Sequence, residues 1–265
     1  MRRIQFIELH EQAWFPKVIR NEVTDALRFG LERLNVYAPI APLLRGWLDS
    51  TGSRSIVDLC SGGGGPWVDL SGRLQQGTPA PLEIALTDKF PNVAAFQNLK
   101  TVSQDRVSFR ADPVDATKVP AGLTGFRTMF TAFHHFRPAE AGAVLQNAVD
   151  AGQGIGIFEI TRRAPMMIGA MLFWALTPLL FTPWIRPFRW SRLLWTYLLP
   201  VIPMVLLFDG MVSCLRTYQP AELREIIAGL SATDYQWELG EHPRATGKMP
   251  ITYLAGYPRP EARRG

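Results

Sequence analysis

One short stretch does most to limit what this chain can fold into. Ser55-Ile56-Val57-Asp58-Leu59-Cys60 has the pattern of a buried strand, and it runs straight into Ser61-Gly62-Gly63-Gly64-Gly65. Pro66 then opens a helical stretch to about residue 75, and proline is tolerated in the first turn of a helix. A strand, a glycine-rich turn and a helix form the opening unit of an α/β sheet that binds ligand at the carboxyl ends of its strands. Glycines let the backbone approach a ligand closely, and the helix start offers free N–H groups. No Gly-Lys-Ser/Thr follows, which argues against a phosphate-cradling loop.

The pattern then repeats. Residues 82–87, 106–111, 126–133 and 154–160 read as strands, with helices from about 93 to 99 and 138 to 148. Strands alternating with helices predict a parallel sheet covered on both faces. After a helix over 220–230, residues 235–239 and 251–257 read as two strands, which predicts an antiparallel element at one sheet edge. Residues 1–50 read as helical, with Ile19, Val23, Ala26, Leu27 and Leu34 at helical spacing. The expected division is a helical cover (1–50), an α/β core (51–160 and 210–258), an apolar helical insertion (161–209) and a basic tail (259–265).

Composition narrows the function classes. With 47% apolar residues in 265 the chain can bury a large core. A net charge of +5 is too weak to imply nucleic acid. Two cysteines, Cys60 and Cys214, exclude a disulfide scaffold and a cysteine-built zinc site, and fit a reducing compartment. No signal-like apolar run opens the chain, so a cytoplasmic protein is expected. The four histidines lack ligand spacing, and no metal site is expected.

Asp88 ends the second strand, where a carboxylate can accept both hydroxyls of a ribose. Glycine turn and carboxylate together point to an adenosine-type cofactor, without separating NAD from S-adenosylmethionine. Asp58-Leu59-Cys60-Ser61-Gly62-Gly63-Gly64 resembles motif I of class I S-adenosylmethionine-dependent methyltransferases, with Cys60 in place of the usual first glycine. Thr87-Asp88-Lys89 is similar to the family's ribose-binding acid. Asp115-Ala116-Thr117-Lys118-Val119-Pro120 resembles its adenine-contacting segment, and is favoured over Asp112 for that reason. Phe133-His134-His135-Phe136 resembles the motif after strand four in small-molecule methyltransferases. The resemblance covers about 54–160 and 218–257. It implies a seven-stranded, Rossmann-like α/β sandwich whose last strand is antiparallel, a hairpin that NAD-linked folds lack. It also implies S-adenosylmethionine as cofactor, held by Asp58, Cys60, Ser61, Gly62, Gly63, Gly64, Asp88, Lys89, Asp115, Ala116 and Phe133. No Asn-Pro-Pro-Tyr follows strand four, which argues against methylation of nucleic-acid bases.

Methyl transfer from a sulfonium asks mainly for alignment, exclusion of water and, at times, removal of a proton. His134 and His135 lie past strand four, on the ligand side, where one can serve as general base. Glu159 ends strand five and can orient a substrate or pair with Arg162 or Arg163. His10, Glu11, Trp14 and Tyr37 belong to the helical cover and read as packing residues.

From 160 to 208 there is no acidic residue, and five arginines flank two uncharged runs of 20 and 16 residues. The first run is long enough to cross a bilayer, but prolines interrupt both. Arginine in the connecting turn disfavours a two-span hairpin. A re-entrant or interfacial hairpin on anionic lipid is expected, the alternative being a soluble lid or dimer element. Either arrangement suits a small hydrophobic acceptor such as a lipid or quinone, methylated on oxygen or carbon. The rival readings are a non-catalytic cofactor-binding module and a protein or RNA methyltransferase. The arginines flank apolar runs instead of forming a basic stripe, so no nucleic-acid partner is expected.

Overall fold

The computed structural model describes residues 1–76, 81–232, 234–244 and 249–259; most of the expected basic tail lies outside them. Helices α1 (Lys17–Arg33) and α2 (Ala41–Thr51) precede the sheet. The alternation then runs β1 (Ser55–Asp58), α3 (Trp67–Gln75), β2 (Glu83–Leu86), α4 (Val93–Val102), β3 (Val107–Phe109), β4 (Phe126–Phe130), α5 (Pro138–Asp150) and β5 (Ile155–Glu159). The insertion contributes α6 (Pro165–Phe181), α7 (Trp190–Leu193) and α8 (Val201–Arg216). Helix α9 (Pro220–Ala228) leads to β6 (Tyr235–His242) and β7 (Ile251–Pro258).

The seven strands lie in the order β3-β2-β1-β4-β5-β7-β6. The first five are parallel, and β7 runs antiparallel to both β5 and β6. The expected seven-stranded α/β sandwich with its antiparallel terminal hairpin is therefore present. From β1 the chain builds outward to β3 on one side, and from β4 outward on the other. Between β1 and β4 lies the switch point, where such sheets open a crevice at their carboxyl ends.

Both faces are filled. Trp47 of α2 stacks on Phe126 and Phe158, with Trp67, Phe96 and Leu99 completing that side. Val144, Leu145, Ala148, Tyr218 and Leu223 fill the other, beneath α5 and α9. A third cluster joins α1 to the insertion, where Phe15, Ile19 and Val23 meet Ala175, Ile202 and Leu206. Helix α1 is thus the floor on which the insertion rests, while α2 packs on the sheet.

Three local expectations change. Strand β4 stops at Phe130, because Thr131 takes a φ of 46° and turns the chain into a single 3-10 turn over Phe133–His135. Helix α8 passes through the expected insertion boundary at 209 without a break. Gly210 does not end it; a Cβ there would lie 2.9 Å from the Met171 sulfur, so the glycine lets α6 and α8 close on each other. The arginines of the insertion are largely paired within the protein. Arg162 meets Glu241, Arg163 meets Glu222, and both Arg189 and Arg192 meet Asp25. Only Arg186 is exposed without a carboxylate partner among the described residues.

Candidate active site

The glycine turn is shaped from beneath. Asp58 Oδ1 accepts the Thr128 hydroxyl at 2.7 Å, and Oδ2 accepts that of Ser61 at 2.6 Å. Asp58 is buried, and that burial pushes its carboxyl up to about 7 against the pull of hydrogen bonds from Ser61, Thr128 and Trp67. It builds the loop and does not face the cavity. Cys60 sits at a φ of 57°, a left-handed conformation in which a glycine carries no steric penalty. At Gly63 a Cβ would lie 2.5 Å from the Thr24 carbonyl of α1, so this glycine is what allows α1 to close over the turn. Gly64 packs toward Leu99 and Arg28, away from the cavity.

Asp88 reaches across from the end of β2. Its Oδ2 accepts the Gly62 amide at 2.8 Å and its Oδ1 the Phe90 amide at 2.7 Å. Each oxygen keeps a lone pair for a ligand hydroxyl. Asp115 Oδ1 accepts the Thr117 amide and hydroxyl at 2.9 and 2.7 Å. Cys60, Ser61, Gly62, Gly63, Asp88, Lys89, Asp115 and Ala116 all line one cavity of about 1020 Å³, while Asp112 does not. Phe133 is buried against Phe136 and Tyr218 in the core; only its amide takes part, donating to Glu159 Oε1 at 2.7 Å.

The same cavity continues to a polar cluster. Glu159 Oε2 receives His134 Nδ1 at 2.9 Å. Burial works against both charges, but their attraction and hydrogen bonds prevail, lowering the Glu159 carboxyl and raising the His134 imidazole. Glu159 thus pairs with neither Arg162 nor Arg163, which have passed the strand end and found other acids. His134 Nε2 points to Glu8, and His135 Nδ1 lies between Glu8 and Glu11. Arg216 donates to the carbonyls of His134 and His135 and to Glu11, pinning the turn after β4 to the N-terminal segment. His10 Nδ1 donates to Asp209 Oδ2 at 2.7 Å. Burial depresses the His10 imidazole, but that bond and the charges of Glu8, Asp209 and Glu11 outweigh it and lift it to about 9.

Sequence reasoning placed His134, His135 and Glu159 on the ligand side, and they do meet there. It missed Glu8, Asp209 and Arg216, and read His10 and Glu11 as packing. The histidines are not scattered, since three of the four converge. The available signal was a cluster of ionisable residues, Glu8-x-His10-Glu11, within the segment read as helical cover. Tyr37 is buried with its hydroxyl on Thr131, and Trp14 is largely exposed.

No protein-family model and no curated protein sequence matches the chain. Solved structures do. An O-methyltransferase from neocarzinostatin biosynthesis, solved with S-adenosylmethionine and 2-hydroxy-5-methyl naphthoic acid, superposes with a TM-score of 0.55 at 16% identity, over 91% of this chain and 58% of that one. An O-methyltransferase family protein from Burkholderia thailandensis gives 0.52 at 16% identity, over 89% and 59%. The chain therefore spans under three fifths of the length of either. A protein described as a putative Zn-dependent alcohol dehydrogenase from Rhodobacter sphaeroides gives 0.50 at 11% identity, over 91% and 98%. The chain has the class I methyltransferase fold. In this methyltransferase fold the cavity at the switch point is the candidate active site, and its chemistry has to be argued from its own residues.

Proposed function

We propose that the protein transfers a methyl group from S-adenosylmethionine to a small hydrophobic acceptor. One observation carries this reading: a single cavity joins the Gly62–Asp88–Asp115 end to an apolar chamber under the insertion. The first end fits an adenosine-type cofactor. Its glycines leave the backbone open, and Asp88 offers two acceptor oxygens for a vicinal diol. S-adenosylmethionine, when bound, would supply an activated methyl. The protein's own contribution is alignment, dryness and proton management. Leu27, Leu31, Met167, Met171, Trp174 and Leu206 line the chamber and select an apolar acceptor. His135, partly exposed at the junction, is placed to receive the acceptor's proton, with Glu8 and Glu11 to hold the resulting imidazolium.

We also infer that the insertion meets a membrane surface, where such acceptors reside. Helix α6 and the 3-10 turn after it (165–184) form one span-length apolar stretch, of which only 22% is buried in its most apolar window. Phe173, Trp190, Leu198, Leu180 and Trp184 are all more than 60% exposed, more apolar surface than soluble monomers usually leave in water.

Calorimetry tests the cofactor. Purified protein is expected to bind S-adenosylmethionine or S-adenosylhomocysteine, and Asp88→Ala to lose about 1–3 kcal/mol of that binding. Binding of NADH and of neither adenosyl compound would overturn the proposal. With an acceptor found among lipid or quinone extracts, His135→Ala is expected to lower kcat by about 10²–10⁴ while leaving cofactor affinity intact.

A further inference from the structure

The polar end of the cavity holds buried groups whose hydrogen bonds are incomplete. Glu8 is fully buried, yet neither of its oxygens has a hydrogen-bond partner. His134 Nε2 is likewise buried without a hydrogen bond, and His135 Nδ1 is buried against the Glu11 carboxylate. These atoms face one another: Glu8 Oε1 lies 3.6 Å from His134 Nε2, and Glu8 Oε2 lies 3.4 Å from His135 Nδ1. Both separations are too long for good hydrogen bonds. A cation between them would replace these loose contacts with bonds of about 2.0–2.2 Å from each imidazole nitrogen and a carboxylate oxygen. The three ligand atoms all lie within 4.8 Å of one another.

We propose that Glu8, His134 and His135 form a binding site for a borderline divalent cation of the zinc type. Two imidazoles and a carboxylate suit zinc better than magnesium or calcium, which prefer oxygen alone. The surroundings support it. Glu159 takes His134 Nδ1 and so leaves Nε2 as the ligand atom, the outer-shell arrangement usual for a metal-bound histidine. Glu11, whose other oxygen takes Arg216, pairs with His135 Nδ1 and would release it when a cation binds. Glu8, Glu11, Glu159 and Asp209 converge here with Arg216, 3.3 Å from Glu8, and with His10, His134 and His135. A divalent ion would displace the proton from His134 Nε2 while keeping positive charge among these acids.

The ion's use in catalysis rests on the methyl-transfer reading, whereas its binding does not. With a cation in place His135 is a ligand and not the base, and an acceptor hydroxyl reaching the ion loses its proton more readily.

The test uses the full, tag-free chain, stripped with chelator and titrated with Zn²⁺ alone by calorimetry, with S-adenosylmethionine titrated into a separate sample. One Zn²⁺ per chain is expected, with at least a tenfold loss of affinity in His135→Ala and in Glu8→Gln, and no change in His242→Ala, whose ring sits on the edge strand β6 and bonds the Pro243 carbonyl. His135 is partly exposed, so its variant remains informative if Glu8→Gln fails to fold by circular dichroism. No saturable Zn²⁺ binding, or equal binding by the wild type and His135→Ala, would overturn the site. Zn²⁺ binding without S-adenosylmethionine binding would sink the methyl-transfer reading alone, and the converse the metal site alone.

Discussion

Asp25 of α1 and Arg192 of α7 form an ion pair with both side chains at most 1% exposed. Asp25 Oδ1 also accepts Asn92 Nδ2 at 2.8 Å, and Arg192 donates to the Ile185 and Pro187 carbonyls at 3.1 Å each. The apolar insertion is thereby tied to the helical cover and, through Asn92, to the start of α4. Burial raises the Asp25 carboxyl and lowers the Arg192 guanidinium, each only partly countered by the other. The pair is therefore a positional lock and a poor source of net stability.

Removing one side of the lock should be costly. Asp25→Ala leaves Arg192 buried without its carboxylate, and about 3–5 kcal/mol of unfolding free energy is expected to be lost in urea titration. A double replacement, Asp25→Leu with Arg192→Met, should lose less than Asp25→Ala alone. A larger loss in the double variant would contradict the lock.

Asp58 makes stability depend on pH. Its carboxyl titrates near 7 in the folded chain and near 3.9 when unfolded. Between those values the folded state holds a proton that the unfolded state has released. Stability should thus fall as pH rises from about 4 to 7, by no more than about 1.4 kcal/mol per pH unit from this group. Asp58→Asn is expected to flatten that part of the profile, as measured by thermal melts across pH. An unchanged slope would assign the dependence to other groups.

The turn's two unusual positions should respond in opposite ways. Cys60→Gly relieves a left-handed residue, at some entropic cost, so stability is expected to hold or rise by up to about 1 kcal/mol. Gly63→Ala drives a Cβ into the Thr24 carbonyl, and is expected to cost about 1–3 kcal/mol and weaken cofactor binding. Chemical denaturation and calorimetry read both.

Membrane attachment, on the proposal above, should be apolar in character. The paired arginines leave little free positive charge on the insertion, so sedimentation with vesicles should change little with salt or with anionic lipid. Replacing Phe173, Trp190 and Leu198 together with serine should abolish it, since each fully buried side chain of this size is worth about 1.5–3 kcal/mol. Absence of sedimentation, with dimers in analytical ultracentrifugation, would assign the face to a second copy.

What local pattern can encode, the chain's sequence already determined. Strand–helix alternation, the glycine turn and the closing pair of strands set the sheet and located the cavity, because period and turn chemistry act over a few residues. Asp88 was legible for the same reason, just past the end of a strand, whereas Asp115 stood out only through the family resemblance of the segment it opens. Only the tertiary structure decided the polar cluster. Glu8 lies more than 120 residues from His134 and some 200 from Asp209, and no spacing rule reaches across such a loop. Nor could the sequence reveal that Asp25 takes up Arg189 and Arg192, since charge pairing is settled by which helices pack together. That pairing turns an insertion that reads as basic into one whose exposed face is apolar.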